Sequence, residues 1–257
     1  MKLSAEHLAV RLSGREILHD VSVEFPEERV TLILGGNGSG KSTLLRALAG
    51  ILPASGGEVR FDGVPLSGMS RREAARRCAI LLQDPYAPPE ISVAELAALG
   101  RFPHGGRRAR TREAVRQALA ETGLTALADR RIDTLSGGER RKAFLARALA
   151  QETELMLLDE PEAALDAAAR HELLITLRKL RRTRRLTVVM AVHDLDFALG
   201  AADLICGLKA GTLRFAAPPE QAATPENLRE LYGIGSTVFS DRHGRMRAIP
   251  DYSDCNS

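Results

Sequence analysis

The chain has 257 residues, of which 44% are apolar, and its formal net charge is +3. This length and composition suit one large folded domain and exclude a disordered or fibrous protein. The small charge excess, with arginines scattered through predicted helices, gives no indication of a nucleic-acid partner.

The cysteines and the apolar runs indicate the compartment. Cys78, Cys206 and Cys255 lie far apart and lack the spacing of metal ligands, which is typical of isolated thiols in a reducing compartment. The first residues have no apolar core of signal-peptide length, and no run of about 18 apolar residues predicts a membrane span. We therefore expect a cytosolic protein whose association with any membrane is peripheral.

The first predicted elements are short strands between Leu8 and Phe25, broken at Ser13-Gly14 and at His19-Asp20. The apolar run 30–34 predicts a buried strand, and residues 43–49 predict a helix that ends at Gly50.

The segment GGNGSGKST lies between that strand and that helix. Glycine lets backbone N–H groups turn toward a ligand, the lysine supplies a point charge for outer phosphates, and the hydroxyl after it can bind Mg²⁺. This pattern in a strand–loop–helix context predicts a phosphate-binding loop, and the alternative is a flexible surface turn. The predicted nucleotide contacts are Gly35, Gly36, Asn37, Gly38, Ser39, Gly40, Lys41, Ser42 and Thr43.

The middle of the chain changes from strand to helix. A hairpin is predicted over 58–63 and a strand over 78–82, ending at Gln83. Helices are then predicted over 92–100, opened by a capping box, and from Thr111 to Gly123.

Strands return at residues 155–158 and 186–192, almost wholly apolar, as central strands of a mostly parallel sheet should be. The helix between them runs through 170–180. A helix starting at Thr224-Pro225 and ending at Gly233, then a turn over 241–244, predict a terminal helix and hairpin.

Two acidic residues, Asp159 and Glu160, follow the strand 155–158. They lie beside the phosphate loop if both strands share a sheet. The aspartate can then hold Mg²⁺, and the glutamate can polarise a water for attack on the γ-phosphate. The alternative is a pair of acids that cap the turn before Pro161.

The segment LSGGE precedes a further predicted helix, and its Ser136 and Glu139 form a capping box. A simple cap does not account for Gly137 and Gly138, which cost about 1 kcal/mol each in a first helical turn but leave N–H groups open to an anion. These four residues are predicted to form a second phosphate contact.

Together, these motifs resemble those of the ATPase subunit of ATP-binding cassette (ABC) transporters, over essentially the whole chain. GGNGSGKST is similar to the Walker A motif, residues 155–160 to Walker B, and LSGGE to the signature motif. Gln83 resembles the Q-loop glutamine, Asp166 the D-loop aspartate and His193 the switch histidine.

The resemblance implies an α/β P-loop NTPase fold of ABC type. Residues 1–84 and 153–215 would form an N-terminal antiparallel β subdomain and a RecA-like core. Residues 85–152 would form an inserted helical subdomain with the signature motif, and 216–257 a C-terminal helix and hairpin.

The resemblance also implies cofactors, roles and partners. ATP and Mg²⁺ would be the cofactors, with Glu160, His193 and Gln83 catalytic, and Ser42, Gln83 and Asp159 around the metal. A second copy would pack head to tail, so that its signature motif completes the nucleotide site, and Asp166 would be a further nucleotide-binding residue. An integral membrane permease, and indirectly an extracytoplasmic substrate-binding protein, would be further partners at the cytoplasmic face of the inner membrane.

Two segments, 99–104 and 224–233, resemble the subgroup serving iron-siderophore, haem and cobalamin importers. Several positions depart from the family pattern: Gly36 replaces a proline, Glu139 replaces a glutamine, Glu162-Ala163 replace a Thr-Ser pair before the D-loop, and Leu12 replaces an aromatic residue that stacks on adenine. Base stacking on an aromatic ring contributes about 1–3 kcal/mol in nucleic-acid binders, so Leu12 predicts weak purine discrimination.

Other functions remain as alternatives. A soluble ABC ATPase acting on nucleic acid or ribosomes typically carries coiled-coil or tandem-cassette insertions, for which this chain has no room. A non-hydrolysing regulatory module is a second alternative, but Glu160 and His193 are both present, which argues against it. A P-loop GTPase or kinase would leave LSGGE unexplained, and the N-K-x-D base-reading motif is absent from the sequence.

Overall fold

A computed structural model describes residues 1–105, 108–163, 165–242, 244 and 246–251. The chain divides into two compact units, one formed by Met1–Gly68 with Thr187–Ser257 and the other by Met69–Leu186. The strands in chain order are β1 Leu3–Leu12, β2 Arg15–Phe25, β3 Val30–Leu34, β4 Gly56–Phe61, β5 Val64–Pro65, β6 Cys78–Leu81, β7 Leu155–Asp159, β8 Thr187–Ala191, β9 Leu204–Lys209, β10 Thr212–Ala217, β11 Ser236–Ser240 and β12 Met246–Pro250. The helices are α1 Lys41–Leu48, α2 Arg71–Arg77, α3 Val93–Leu99, α4 Arg108–Glu121, α5 Gly137–Ala150, α6 Ala167–Arg184, α7 Leu195–Ala201, α8 Pro219–Ala222 and α9 Pro225–Tyr232.

The first unit contains an antiparallel sheet in the order β2-β1-β4-β5. Alternate residues of β2 bury Val21, Val23 and Phe25 on one face, as expected of a half-buried strand. The predicted break at Ser13-Gly14 is confirmed, but the break at His19-Asp20 is wrong. There β2 continues through an irregular register, and Asp20 adopts a φ of 51°, so one long bulged strand replaces two short ones.

The first unit also carries the strands β10-β9-β3-β8. Strand β3 pairs in parallel with both β8 and β9, and all five residues of β3 and of β8 are buried, so the buried strand predicted at 30–34 and the apolar parallel strand predicted at 186–192 are confirmed. No strand is predicted from the sequence where β9 and β10 lie. Strand β10 alternates partly buried and exposed residues at the antiparallel edge, a weaker pattern than a buried run.

The second unit pairs β6 and β7 in parallel, and helices α2 and α5 pack against β6. The capping box Ser92–Glu95 and the end of α3 at Gly100 are confirmed. Helix α4 starts at Arg108, before the predicted Thr111, because the preceding arginine and alanine residues favour helix. Helix α2 was not predicted. The subdomain boundaries inferred from the resemblance remain predictions.

The terminal elements also follow the sequence. Thr224 caps α9, Pro225 is its first residue, and Gly233 ends it at a φ of 76°. Strands β11 and β12 form the predicted hairpin, whose turn residue His243 lies outside the described residues. Cys78 and Cys206 are free and buried, and burial raises the pKa of the Cys206 thiol to about 12; Cys255 lies outside the described residues. Within the described ranges, no helix has the length and apolar content to cross a bilayer.

Candidate functional site

The predicted phosphate loop connects β3 to α1 in the first unit. A Cβ added to Gly35 would lie 2.2 Å from the carbonyl oxygen of Leu208, and one on Gly40 would lie 2.8 Å from the side chain of Leu18. The residues therefore have to be glycine for the loop to pack this closely against β9 and β2. Gly36 differs, because a Cβ there would meet none of the described residues beyond its chain neighbours within 4 Å.

Lys41 lies inside this loop. Its side chain is buried, and Nζ donates to the carbonyl oxygens of Gly35 at 2.8 Å and Gly36 at 3.2 Å. These bonds hold the ammonium group against the backbone at the start of the loop. Among the described residues, no side chain caps α1 at Gly40, so its first N–H groups are directed at the space in front of the loop. A positive charge beside the N-terminus of a helix suits a phosphate chain.

His193 is brought to the same sheet edge. Ile33 pairs with Ala191 in the parallel register of β3 and β8, so Gly35 and His193, each two residues further on, leave the sheet side by side. The side chain of His193 is exposed. The first unit therefore places the predicted switch histidine next to the start of the phosphate loop.

The second unit brings Gln83 to Glu160. In the parallel pair of β6 and β7, Leu81 lies opposite Leu158, so residues 83 and 160 leave the two strands at the same edge. The Gln83 Nε2 donates to Glu160 Oε2 at 2.6 Å. Asp159 is fully buried and Glu160 nearly so. Glu160 also adopts a φ of 50°, a conformation that is uncommon outside glycine and is concentrated at functional sites.

Arg141 is a residue that the sequence analysis missed. Its Nη1 donates to the Gln83 carbonyl at 2.7 Å, and its Nη2 donates to the Asp159 carbonyl at 3.1 Å and to that of Glu160. Burial lowers the pKa of this guanidinium. One side chain thus fixes the backbone that carries all three acidic and amide groups. The signal was its position in α5, five residues after Ser136, but nothing in the pattern indicated its partners.

The signature segment forms the cap of α5. Ser136 Oγ accepts from the Glu139 N–H at 3.3 Å, and the Glu139 carboxylate accepts from the Ser136 N–H at 2.8 Å, so the capping box is confirmed. The Ser136 N–H and the Ser136 hydroxyl both donate to the Glu139 carboxylate, and these two bonds lower its pKa. Gly137 and Gly138 both lie in the first turn, and among the described residues outside that turn a Cβ on either would meet nothing within 4 Å. The fold of this chain does not require glycine there.

Asp166 has a local structural role. It is the N-cap of α6, where its Oδ1 accepts from the Ala169 N–H at 2.8 Å. The predicted site residues are divided between the two units. The loop 35–43 and His193 lie in the first unit, and Gln83, Ser136–Glu139, Asp159, Glu160 and Asp166 lie in the second.

The chain is similar to known proteins over most of its length. The family model described as "ABC transporter" matches residues 18–163. The chain is 37% identical over 243 residues to the iron(3+)-hydroxamate import ATP-binding protein FhuC of Bacillus subtilis, covering 93% of this chain and 90% of that protein. It is 40% identical over 253 residues to the hemin import ATP-binding protein HmuV of Burkholderia pseudomallei, covering 90% and 93% respectively.

A solved structure is similar over the same length. It is a chain of a metal-chelate type ABC transporter in an inward-facing conformation, with a TM-score of 0.84, 26% identity and coverage of 98% of each chain. The predicted fold, an α/β P-loop NTPase of ABC type, is therefore confirmed.

Proposed function

This chain belongs to the ABC transporter family as an ATPase, and we propose that it energises a membrane importer of iron-siderophore, haem or cobalamin-type cargo. The observation that carries the proposal is the contact of Gln83 with Glu160 at 2.6 Å, beside the buried Asp159. This edge holds a carboxylate in a defined place at the end of a rigid strand, which a water-polarising base requires. The import proteins to which the chain is similar support the cargo class.

ATP would lie on the phosphate loop. The N–H groups of residues 35–43 would surround the β- and γ-phosphates, and the Lys41 ammonium would exchange its bonds to Gly35 and Gly36 for phosphate oxygens. His193, which leaves the sheet beside Gly35, would contact the γ-phosphate.

The residues proposed for Mg²⁺ fit that ion. Ser42, Asp159 and Gln83 offer a hydroxyl, a carboxylate and an amide oxygen, which are the hard donors that Mg²⁺ prefers. Gln83 donates from Nε2 to Glu160, so its Oε1 is the atom left to face a metal. Bound there, Mg²⁺ would neutralise charge on the transferred phosphoryl group.

Glu160 would act as the general base. Its carboxylate would accept a proton from the attacking water, while Gln83 keeps it at the strand edge and Arg141 keeps its backbone in place. A second copy would supply Ser136, Gly137, Gly138 and Glu139 to the same ATP. The surroundings of both glycines support this role, because a Cβ built on either would meet no packed neighbour among the described residues, so the fold itself does not call for glycine there. Asp166 would lie at the junction between the two copies.

The partners follow from the relatives. We place the chain at the cytoplasmic face of the inner membrane, bound to permease subunits and, through them, to an extracytoplasmic substrate-binding protein. To test this, the tagged chain is purified from detergent-solubilised native membranes, and the proteins in stoichiometric amount are identified by mass spectrometry. A polytopic membrane protein is the expected partner. A ribosome, DNA, or no partner at all would contradict the proposal and favour a soluble ATPase.

A further inference from the structure

The last residue of α9, Tyr232, has a buried hydroxyl group that no neighbour engages. Within the part of the chain that the structure describes, its oxygen is shielded from solvent and forms no hydrogen bond. A buried polar group without a partner costs free energy and is rare in folded proteins. Such a hydroxyl is accounted for when a second state of the chain gives it a partner.

The Tyr232 hydroxyl lies against the start of the phosphate loop. Burial raises the pKa of this phenol to about 12, against an opposing effect from the backbone of Gly35. A backbone group lowers the pKa of a phenol when its N–H faces the oxygen, because the N–H stabilises the ionised form. The Gly35 N–H therefore faces the Tyr232 oxygen, although not in the geometry of a hydrogen bond.

Strand β9 holds helix α9 in this place. The two elements pack together, and Leu228 and Leu231 of α9 are buried. The Lys209 ammonium group, at the end of β9, donates to the Glu230 carbonyl in the last turn of α9, where a cation also complements the helix dipole. Tyr232 follows Leu231 directly, so this packing sets the position of its side chain.

The same strand confines one side of the phosphate loop. A Cβ on Gly35 would lie 2.2 Å from the Leu208 carbonyl oxygen, and the Gly211 N–H, in the turn after β9, donates to the Ser39 carbonyl at 2.8 Å. Gly36 is not confined in this way, and it stands where the family pattern has a proline that would fix its φ angle. The peptide group between the two glycines, which carries the Gly35 carbonyl, can therefore reorient.

Lys41 is the present donor to that carbonyl. Its Nζ lies 2.8 Å from the Gly35 oxygen, and the binding of ATP would draw the ammonium group toward the phosphates. A backbone carbonyl that loses its donor inside a packed loop costs free energy. Tyr232 has a hydroxyl hydrogen to donate, and it faces the same residue.

We propose that Tyr232 is a positioning residue of the ATP site, whose hydroxyl donates to the Gly35 carbonyl once Lys41 has moved to the phosphates. This inference rests on the proposed binding of ATP at the loop and adds a residue of the C-terminal helix to that site. Before ATP binds, Lys41 holds the carbonyl and the hydroxyl has no partner. After ATP binds, the carbonyl and the hydroxyl are partners. Tyr232 thus stabilises the loop that holds ATP and not the empty one.

The experiment compares Tyr232→Phe with the wild-type chain, because this change removes the hydroxyl and keeps the ring. Tyr86→Phe is the matched control, since it removes the same group from a side chain that is 79% exposed. Each chain is titrated in a calorimeter with Mg²⁺ and the β,γ-imido analogue of ATP, which resists hydrolysis. The midpoint of thermal unfolding is measured with and without this analogue.

We expect Tyr232→Phe to lower the affinity for the analogue about 3- to 10-fold, as the loss of one hydrogen bond should. Without nucleotide, its unfolding midpoint should equal or exceed that of the wild type, because the change removes a buried group that has no partner. The analogue should raise the midpoint of Tyr232→Phe less than that of the wild type. Tyr86→Phe should match the wild type in every measurement.

An affinity of Tyr232→Phe within about 2-fold of the wild type would overturn the inference. A lower midpoint without nucleotide would overturn it too, since the hydroxyl would then support the fold of the empty chain. In both cases the proposed function stands. A wild-type chain that does not bind the analogue would overturn the inference and the proposed function together.

Discussion

Replacing Arg141 tests whether one side chain holds the hydrolysis edge together. Its guanidinium donates to three backbone carbonyls, those of Gln83, Asp159 and Glu160. A hydrogen bond from a charged donor contributes about 1.5–3 kcal/mol, and two of these bonds share Nη2, so they do not add fully. We expect Arg141→Ala to lower the free energy of unfolding by about 3 kcal/mol. Arg141→Lys should lose about half as much, because an ammonium group cannot span all three carbonyls.

The effect on catalysis should exceed the effect on ATP binding. A displacement of about 1 Å at a reacting group costs on the order of 10²-fold in rate, and Arg141 sets the backbone position of Glu160. We expect kcat to fall about 10- to 100-fold in Arg141→Ala, with the affinity for ATP within about 3-fold of wild type, because the loop 35–43 lies elsewhere in the sequence and in the other unit.

The assay pairs urea unfolding with steady-state ATP hydrolysis, and the adjacent Arg140→Ala serves as the control. Arg140 is exposed and its guanidinium carbon lies 6.0 Å from the centre of the Phe144 ring, so its loss should cost less than about 1 kcal/mol. If Arg141→Ala unfolds and turns over like Arg140→Ala, the reasoning is refuted.

Three further predictions concern the loop, the hydrolysis edge and the base. Gly35→Ala should abolish ATP binding in a fluorescent-nucleotide titration and lower the free energy of unfolding by about 1–3 kcal/mol, because the new Cβ meets a carbonyl oxygen at 2.2 Å. Gly36→Ala should bind ATP normally. Equal ATP binding by the two variants would contradict the loop geometry. Gln83→Glu places a second carboxylate against Glu160, and repulsion between the two raises the pKa of one of them. Because the base acts only when ionised, the acidic limb of the pH profile of kcat should move to higher pH. An unmoved limb would show that the two side chains are not in contact during turnover. The Kd values of the wild-type chain for ATP and GTP, measured by calorimetry, should lie within about 10-fold of each other. Leu12→Tyr should raise the affinity for ATP about 5-fold or more. A wild-type preference for ATP above about 10-fold would count against the inference from Leu12.

Much of the fold could be predicted because its central strands are continuous apolar runs. Strands β3 and β7 are buried throughout, and the polar residues after them mark where each leaves the sheet. The contact of Gln83 with Glu160 follows from the parallel register of β6 and β7. The sequence does not show that the two strands are neighbours, because that depends on tertiary packing. Both residues could therefore be predicted as site residues, but the hydrogen bond between them could not.

Other features could not be read from the sequence because they depend on burial of residues that are usually exposed. Arg101 and Arg141 stand among many arginines, and arginine is seldom buried unless paired. Which ones donate to carbonyls depends on how α3 and α5 pack. The bulge near Asp20 was missed for a similar reason, since polar residues in a long strand resemble a turn.

The central claim is that Glu160 is the base in an ATP site completed by a second copy of the chain. The most direct test measures the rate of ATP hydrolysis by the Glu160→Gln variant and its molar mass in solution with ATP present. We predict that turnover falls about 10²–10⁴-fold, as loss of a general base should cause, while ATP still binds and holds the variant as a dimer by light scattering. Retained turnover, or a chain that binds ATP and stays monomeric, would contradict the claim.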